Sequence, residues 1–304
     1  MSHEVFSNFS KMNTAEVMDR VFDVYRKSFF KQLGFSAIVG VIAFVLIFAI
    51  TVMMLTMGTL FFAFFAITGV EHFPAGNAAI IPAIIFLGIM VLLYLLWQSV
   101  ASAGHILLSE QAFYGRAMKL QFGNVLAVAV RVFSAFLAQV ILVIPVIALA
   151  GGAFYLSALL AGNAFQIAVF AAGFFGVIVY LNIFLFAVAV AIFENRMFMK
   201  AIQRSWELVR GEFWKLFGIR VLWFMVIMVI TYATYGLLAV GGMIANFELL
   251  FALINIILGF AIMPLDGIMQ AVLYFNQRIK REGLDLEIKL EHLISSPPPE
   301  RFTS

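Results

Sequence analysis

Residues 35–67 read FSAIVGVIAFVLIFAITVMMLTMGTLFFAFFAI, without one charged side chain. A helix needs about 20 consecutive apolar residues to cross the hydrocarbon of a bilayer. This run passes that length with room left over, so tilting, kinking or emergence from the lipid is expected. Five further runs meet the same test, at 79–108, 124–158, 165–193, 217–243 and 248–277. The third of the six is also overlong and contains Pro145, Gly151 and Gly152, candidate kink points that could divide it.

The whole composition agrees with that reading. Of 304 residues 64% are hydrophobic and 12% charged, against about 25% charged in soluble domains. The expected fold is all-α: a polytopic membrane protein of six transmembrane helices arranged as three hairpins. Cysteine is absent, which excludes disulfides, thiol catalysis and thiolate metal sites. The first apolar run is too long for the core of a signal peptide, about 7–15 residues, so no cleaved leader is expected.

The cations fix the orientation. Segments 71–77, 162–163 and 241–248 contain no Lys or Arg. All 19 cationic residues lie in the N-terminal segment, around Arg116 to Arg131, in the stretch 196–220 and in the tail from Arg278. By the positive-inside rule both termini face the cytoplasm and the three hairpins point outward. The expected location is the bacterial cytoplasmic (inner) membrane.

Between the fourth and fifth runs lies RSWELVRGEFWK, residues 204–215, and a second version, RVFDVYRKSFFK, occupies 20–31. Alignment pairs Arg20 with Arg204, Arg26 with Arg210, Lys31 with Lys215 and Gly34 with Gly218, while Arg131-Val132-Phe133 resembles a worn third copy. The organisation expected is a single membrane domain over 1–283 with repeat units at about 14–108, 112–193 and 197–283, then a cytoplasmic tail over 284–304 that loses order from about 295 at Ser295-Ser296-Pro297-Pro298-Pro299. Repetition of this kind accompanies binding at a repeat interface, or records only the duplication of a stable part.

In the first copy Met18, Val21, Phe22, Tyr25, Phe29 and Leu33 fall at helical spacing, opposite Asp19, Arg20, Asp23, Arg26 and Lys27. Asn13 and Glu16 have capping-box spacing. In the second copy the apolar stripe is Phe198, Ile202, Trp206, Val209, Phe213 and Leu216. Each hairpin is therefore expected to follow an amphipathic helix lying in the cytoplasmic headgroup plane. Arg20, Arg26, Lys31, Arg204, Trp206, Arg210, Trp214 and Lys215 are the candidates for contact with anionic lipid headgroups or a partner, each cation contributing about 1 kcal/mol near an anionic leaflet.

The stretch AIQRSWELVRGEFWKLFGI, residues 201–219, with YFNQRIKREGLDLE, residues 274–287, resembles the bacterial family named for the membrane domain of glycerophosphoryl diester phosphodiesterases. The shared positions are Arg204, Ser205, Trp206, Leu208, Gly211, Phe213 and Trp214, then Tyr274, Phe275, Arg278, Glu282, Gly283, Asp285 and Leu286. Asn276-Gln277 stands where that pattern has an acidic residue and Leu. The catalytic barrel that gives the family its name has no counterpart here, so the resemblance implies membrane architecture and not hydrolysis.

The four histidines, His3, His72, His105 and His292, lack metal-ligand spacing, and there is no P-loop, dinucleotide-binding glycine pattern or nucleophile elbow. No metal or cofactor is expected. An intramembrane carboxylate is costly and invites a functional hypothesis; Asp266 is that residue. Asn255, Gly259, Asp266, Gln270 and Gln277 share one side of the last run, and Tyr94, Gln98, Ser102, His105 and Ser109 form a comparable stripe in the second. Facing each other, the stripes would place Asp266 and His105 in a polar cavity; the same residues equally suit inter-helix hydrogen bonding.

The function expected is that of a non-enzymatic anchor or scaffold subunit, presenting interfacial helices to the lipid bilayer or to a membrane or envelope protein, with no role for nucleic acid. The alternative is a transporter or channel-like component built around Asp266. A membrane-embedded lipid enzyme is a third reading, resting on His105 and Asp266 alone.

Overall fold

A computed structural model of the chain describes residues 11–68, 80–115, 121–160, 163–245, 248–283 and 286. Among them the secondary structure is entirely helical: α1 (Thr14–Thr68), α2 (Ile80–Phe113), α3 (Phe122–Leu160), α4 (Asn163–Ile183), α5 (Ala187–Phe193), α6 (Met199–Val209), α7 (Phe213–Ala245), α8 (Glu248–Ile262) and α9 (Pro264–Glu282). Five stretches are long and apolar enough to cross a membrane: Thr14–Met53, Phe86–Phe113, Phe122–Ala153, Phe213–Gly236 and Leu253–Glu282, with a shorter apolar segment at Ala171–Tyr180. Of the cation-free connections, 71–77 lies wholly outside the described residues, as do 162 and 246–247 in the other two and all of the tail except residue 286.

The first cassette departs from the expected interfacial helix. α1 is continuous for 55 residues, roughly 80 Å at about 1.5 Å per residue, against a hydrocarbon core of about 30 Å. No residue between 20 and 35 breaks it, so the amphipathic stretch prolongs the first span. Its apolar side is buried by protein: Val17, Val21 and Val24 are inaccessible, and α1 packs on α2 and α9. The expected capping box does form, Asn13 N donating to Glu16 Oε2 at 2.8 Å and Glu16 N to Asn13 Oδ1 at 2.9 Å. The worn copy around Arg131 likewise lies inside a continuous helix, α3, which Pro145, Gly151 and Gly152 do not divide. Among the described residues, only the third unit has a separate amphipathic helix, α6.

Two other runs are broken. The fourth opens at residues 184–186, between α4 and α5, and the sixth at Met263, before Pro264. Proline removes an N–H and crowds the preceding turn; Tyr25 Oη donates to the Ala261 carbonyl at 2.8 Å beside that break, so a neighbouring helix occupies an acceptor there.

Burial is concentrated towards the cation-rich ends. The core draws on Val17 to Val39, Ala101 to Phe113, Val125 to Ala138, Leu185 to Ile192, Leu208 to Trp223 and Leu265 to Ile279. Farther along α1, Phe44, Val45, Leu46, Ile47 and Phe48 are all exposed. Consecutive helical positions step by about 100°, so α1 is bare on every side there, a surface suited to lipid. α9 is the hub, touching α1, α2, α5, α6 and α8.

Candidate functional site

α9 carries its cations in the last turn, Lys280 and Arg281, and ends at Gly283, whose φ of 64° is the left-handed cap that glycine adopts without strain. That terminus meets α6 and the loop after α5, and the meeting point is an ion-pair network. Arg204 Nε donates to both oxygens of Glu194, at 3.1 and 2.9 Å. Its other nitrogens reach Glu207 at 3.4 Å and Glu282. Arg278 Nε donates to Glu282 Oε2 at 2.9 Å, Tyr274 Oη to Glu194 Oε1 at 3.0 Å, and Arg196 lies 3.3 Å from Glu194. Arg204 is 18% exposed and Glu194 13%. Burial alone would lower the arginine pKa, but the hydrogen bonds and charges of Glu194 and Glu282 outweigh it and hold the value above the usual one. Arg204 is a permanent cation that ties three chain segments together.

Ser205, next along, stitches the break between α4 and α5. Its Oγ donates to the Ile183 carbonyl at 2.6 Å and accepts from Phe186 N at 3.0 Å. Both backbone groups are left over by the interrupted helix, and one buried hydroxyl answers both. Ser205→Ala leaves them unpaired at a cost of about 1–3 kcal/mol, read as a lowered unfolding midpoint in detergent; Ser205→Thr keeps the hydroxyl and recovers part of the loss.

At Gly211 a Cβ would overlap the Arg281 guanidinium and push it aside; as it stands, that guanidinium donates to the Glu207 carbonyl at 2.8 Å. Phe275 stacks on Phe113 at 5.1 Å and packs against Tyr114 and Phe193. Of the segments that carry the family resemblance, Arg204, Ser205, Gly211, Tyr274, Phe275, Arg278, Glu282 and Gly283 therefore converge on one place. Asn276, the departure from that pattern, clamps Met12 through both backbone groups, at 3.0 and 3.3 Å. Glu194, the acid at the centre, lies just outside both quoted segments; its signal is that it ends an otherwise uncharged run.

The remaining candidates are dispersed. Arg26, Lys31, Arg210, Trp214 and Lys215 are exposed, and Trp206 is 39% accessible. The buried face of α6 is Ala201, Ile202, Ser205, Leu208 and Val209, so Trp206 lies off the stripe expected for it. Arg20 pairs with Asp23 at 3.1 Å and lies 5.3 Å over the Phe113 ring.

His105 is buried in a polar cluster, but without Asp266. Gln32 Nε2 donates to the His105 carbonyl and to Ser109 Oγ, both at 3.2 Å. With its amide hydrogens so placed, Gln32 Oε1 faces His105 Nδ1 at 2.6 Å as acceptor, which puts the ring proton on Nδ1 and leaves Nε2 to accept from Ser36 at 3.4 Å. Sequence periodicity gave no sign of Gln32 or Ser36, since both lie at the edge of the first apolar run. Across from this cluster stands Gly267, where a Cβ would come 3.0 Å from His105 Cβ. Asp266, one residue earlier and so about 100° around α9, is exposed and accepts from Gln270 Nε2 at 2.8 Å. His105 and Asp266 therefore do not meet, and His105 takes part in hydrogen bonding between α1 and α2. Gln98, Asn255 and Gln270 are half-buried at other points. Among the described residues no three His, Asp or Glu side chains are grouped to hold a metal ion.

No curated protein and no solved structure matches the chain. A family model described as a domain of unknown function (DUF8558) matches residues 112–295, more than half of the chain. The matched stretch contains the whole Glu194–Arg204–Glu282 network and omits the first cassette and His105. The chain belongs to the DUF8558 family.

Proposed function

We propose that the chain is a non-enzymatic integral membrane protein, an anchor or scaffold that crosses the bacterial inner membrane six times in three hairpins, with both termini cytoplasmic. Its cytoplasmic rim, basic and aromatic, meets lipid headgroups or an envelope partner. One contrast carries this reading. Glu194 and Glu282 are tied up in internal pairs, whereas the side chains of Arg26, Arg210, Lys215, Phe30 and Trp214 are exposed. Aromatics beside cations suit the membrane–water boundary. On the resemblance of residues 201–219 and 274–287, we extend the reading to barrel-free relatives of the phosphodiesterase membrane domain.

A second reading, a transporter component, is favoured by one observation: the break at Met263–Pro264 stands three residues before an exposed carboxylate, Asp266, and interrupted helices accompany substrate sites in transporters.

The tests run on a chain that has no native cysteine. A single cysteine at Lys200 reacts with a membrane-impermeant maleimide only after lysis, and one at Asn77 reacts in intact spheroplasts. Crosslinking recovers a reproducible envelope partner that Arg210→Gln with Lys215→Gln removes. Reversed labelling overturns the orientation. No partner, with substrate uptake abolished by Asp266→Asn at unchanged membrane abundance, puts the transporter reading first.

A further inference from the structure

The turn between α6 and α7 is straddled by two consecutive side chains of α9. On one side Arg281 lies over Gly211 and holds the Glu207 carbonyl. On the other, Lys280 reaches Glu212 at 3.5 Å, longer than a good hydrogen bond, with only 15% of its side chain exposed. Lys215 lies in the first turn of α7, three residues after Glu212 and so on the same side of the helix, and its charge acts against that of Lys280. Arg210 is exposed at the same turn. Glu207 does not compensate, because it pairs with Arg204. Glu212 thus answers Lys280 from 3.5 Å, while Lys215 adds a second positive charge at a turn where Lys280 is largely cut off from water. Like charges held together in this way are destabilising unless an anion joins them.

We infer that the Lys215–Lys280 pair, with Arg281 beside it, is a binding site for the phosphate group of an anionic membrane lipid. This rests on the cytoplasmic placement of the rim proposed above. A phosphodiester between the two ammonium groups supplies the missing negative charge and accepts their hydrogen bonds. The Trp214 ring, 65% exposed and packed edge-on against Phe213 and Phe217 at 5.3 and 6.3 Å, stands next to Lys215, where an acyl chain hanging from that phosphate would pass. Gly211 keeps the turn low enough for Arg281 to close the third side. The cations of the first cassette, Arg26 and Lys31, lie on α1, outside the α6–α7 turn, and serve as the comparison.

The experiment is native mass spectrometry of the full chain, titrated in detergent with phosphatidylglycerol and, separately, phosphatidylcholine. Wild type retains phosphatidylglycerol in preference to phosphatidylcholine. Lys215→Gln weakens that retention about fivefold, the effect of one cation at a lipid surface. Arg26→Gln with Lys31→Gln, a larger charge change away from the site, leaves it within a factor of two. Lys215→Arg restores it. Lys280→Gln repeats the loss, and because Lys215 is exposed its substitution still reports if Lys280→Gln fails to fold. Equal retention of the two lipids, or equal losses at Lys215 and at Arg26 with Lys31, overturns the inference. Displacement of phosphatidylglycerol by millimolar inorganic phosphate, with no lipid preference, reassigns the site to a soluble anion and overturns the lipid assignment. The labelling of Lys200 reports separately on orientation, so a misplaced rim and a missing site give different results.

Discussion

Arg204→Gln lowers the stability of the detergent-solubilised protein by about 2–3 kcal/mol, somewhat below the roughly 3–5 kcal/mol seen when a fully buried ion pair loses one member. The reduction reflects the 18% of Arg204 that stays exposed. The loss has a specific origin. Glu194 would keep Tyr274 and the more exposed Arg196 as partners, but both Nε contacts vanish together, and Glu282 is left to Arg278 alone. Arg204→Lys does not restore the wild-type value, because a single ammonium group cannot reach Glu194, Glu207 and Glu282 from one stem as the guanidinium fork does. Arg210→Gln, two turns along and exposed, stays within about 0.5 kcal/mol, as surface substitutions do. Unfolding followed by intrinsic Trp fluorescence against denaturant separates these cases. If Arg204→Gln and Arg210→Gln behave alike, the network is surface decoration and the 204–215 cassette has another purpose.

The comparison of these two arginines shows what the sequence could and could not reveal. Apolar runs and the segregation of cations depend on local composition, and the helices fall where those runs lie. The capping box is equally local, with donor and acceptor three residues apart. The continuity of α1 is not legible because a polar face reads as a surface helix whether its other face meets lipid or protein; Val17, Val21 and Val24 are buried by protein in a helix that packs on α2 and α9. The network escaped for a different reason. Arg204 and Arg210 look the same in one dimension, and only the arrival of Glu194 and Glu282 from remote segments distinguishes them. Helical stripes pick out His105 and Asp266 as polar residues of apolar runs but cannot give their azimuths relative to each other, and a single residue's rotation of α9 turns Gly267, not the exposed Asp266, towards His105.

Gly104→Val is the second large effect, a destabilisation of about 2–3 kcal/mol at the upper end of the overpacking range. A Cβ at Gly104 would overlap the outer atoms of the Phe35 ring. That ring is 5% exposed and stands edge-on to His105 at 5.2 Å, so it cannot swing clear without disturbing the imidazole and, through it, Gln32 and Ser36. Even Gly104→Ala is expected to destabilise, although in an open helix the same change gains about 1 kcal/mol of helix propensity. Gly34 provides that open helix within the same protein: nothing lies within 4 Å of a Cβ built there, and Gly34→Ala should stabilise by about 0.5–1 kcal/mol. The cause at Gly104 is isolated by a double-mutant cycle. Phe35→Leu shortens the obstructing side chain, so Gly104→Ala costs less in that background, with a coupling of about 1 kcal/mol or more between residues in contact. Additive effects of the two substitutions would mean that α1 and α2 are not packed through Gly104, and the polar cluster around His105 would lose the close helix approach on which it depends.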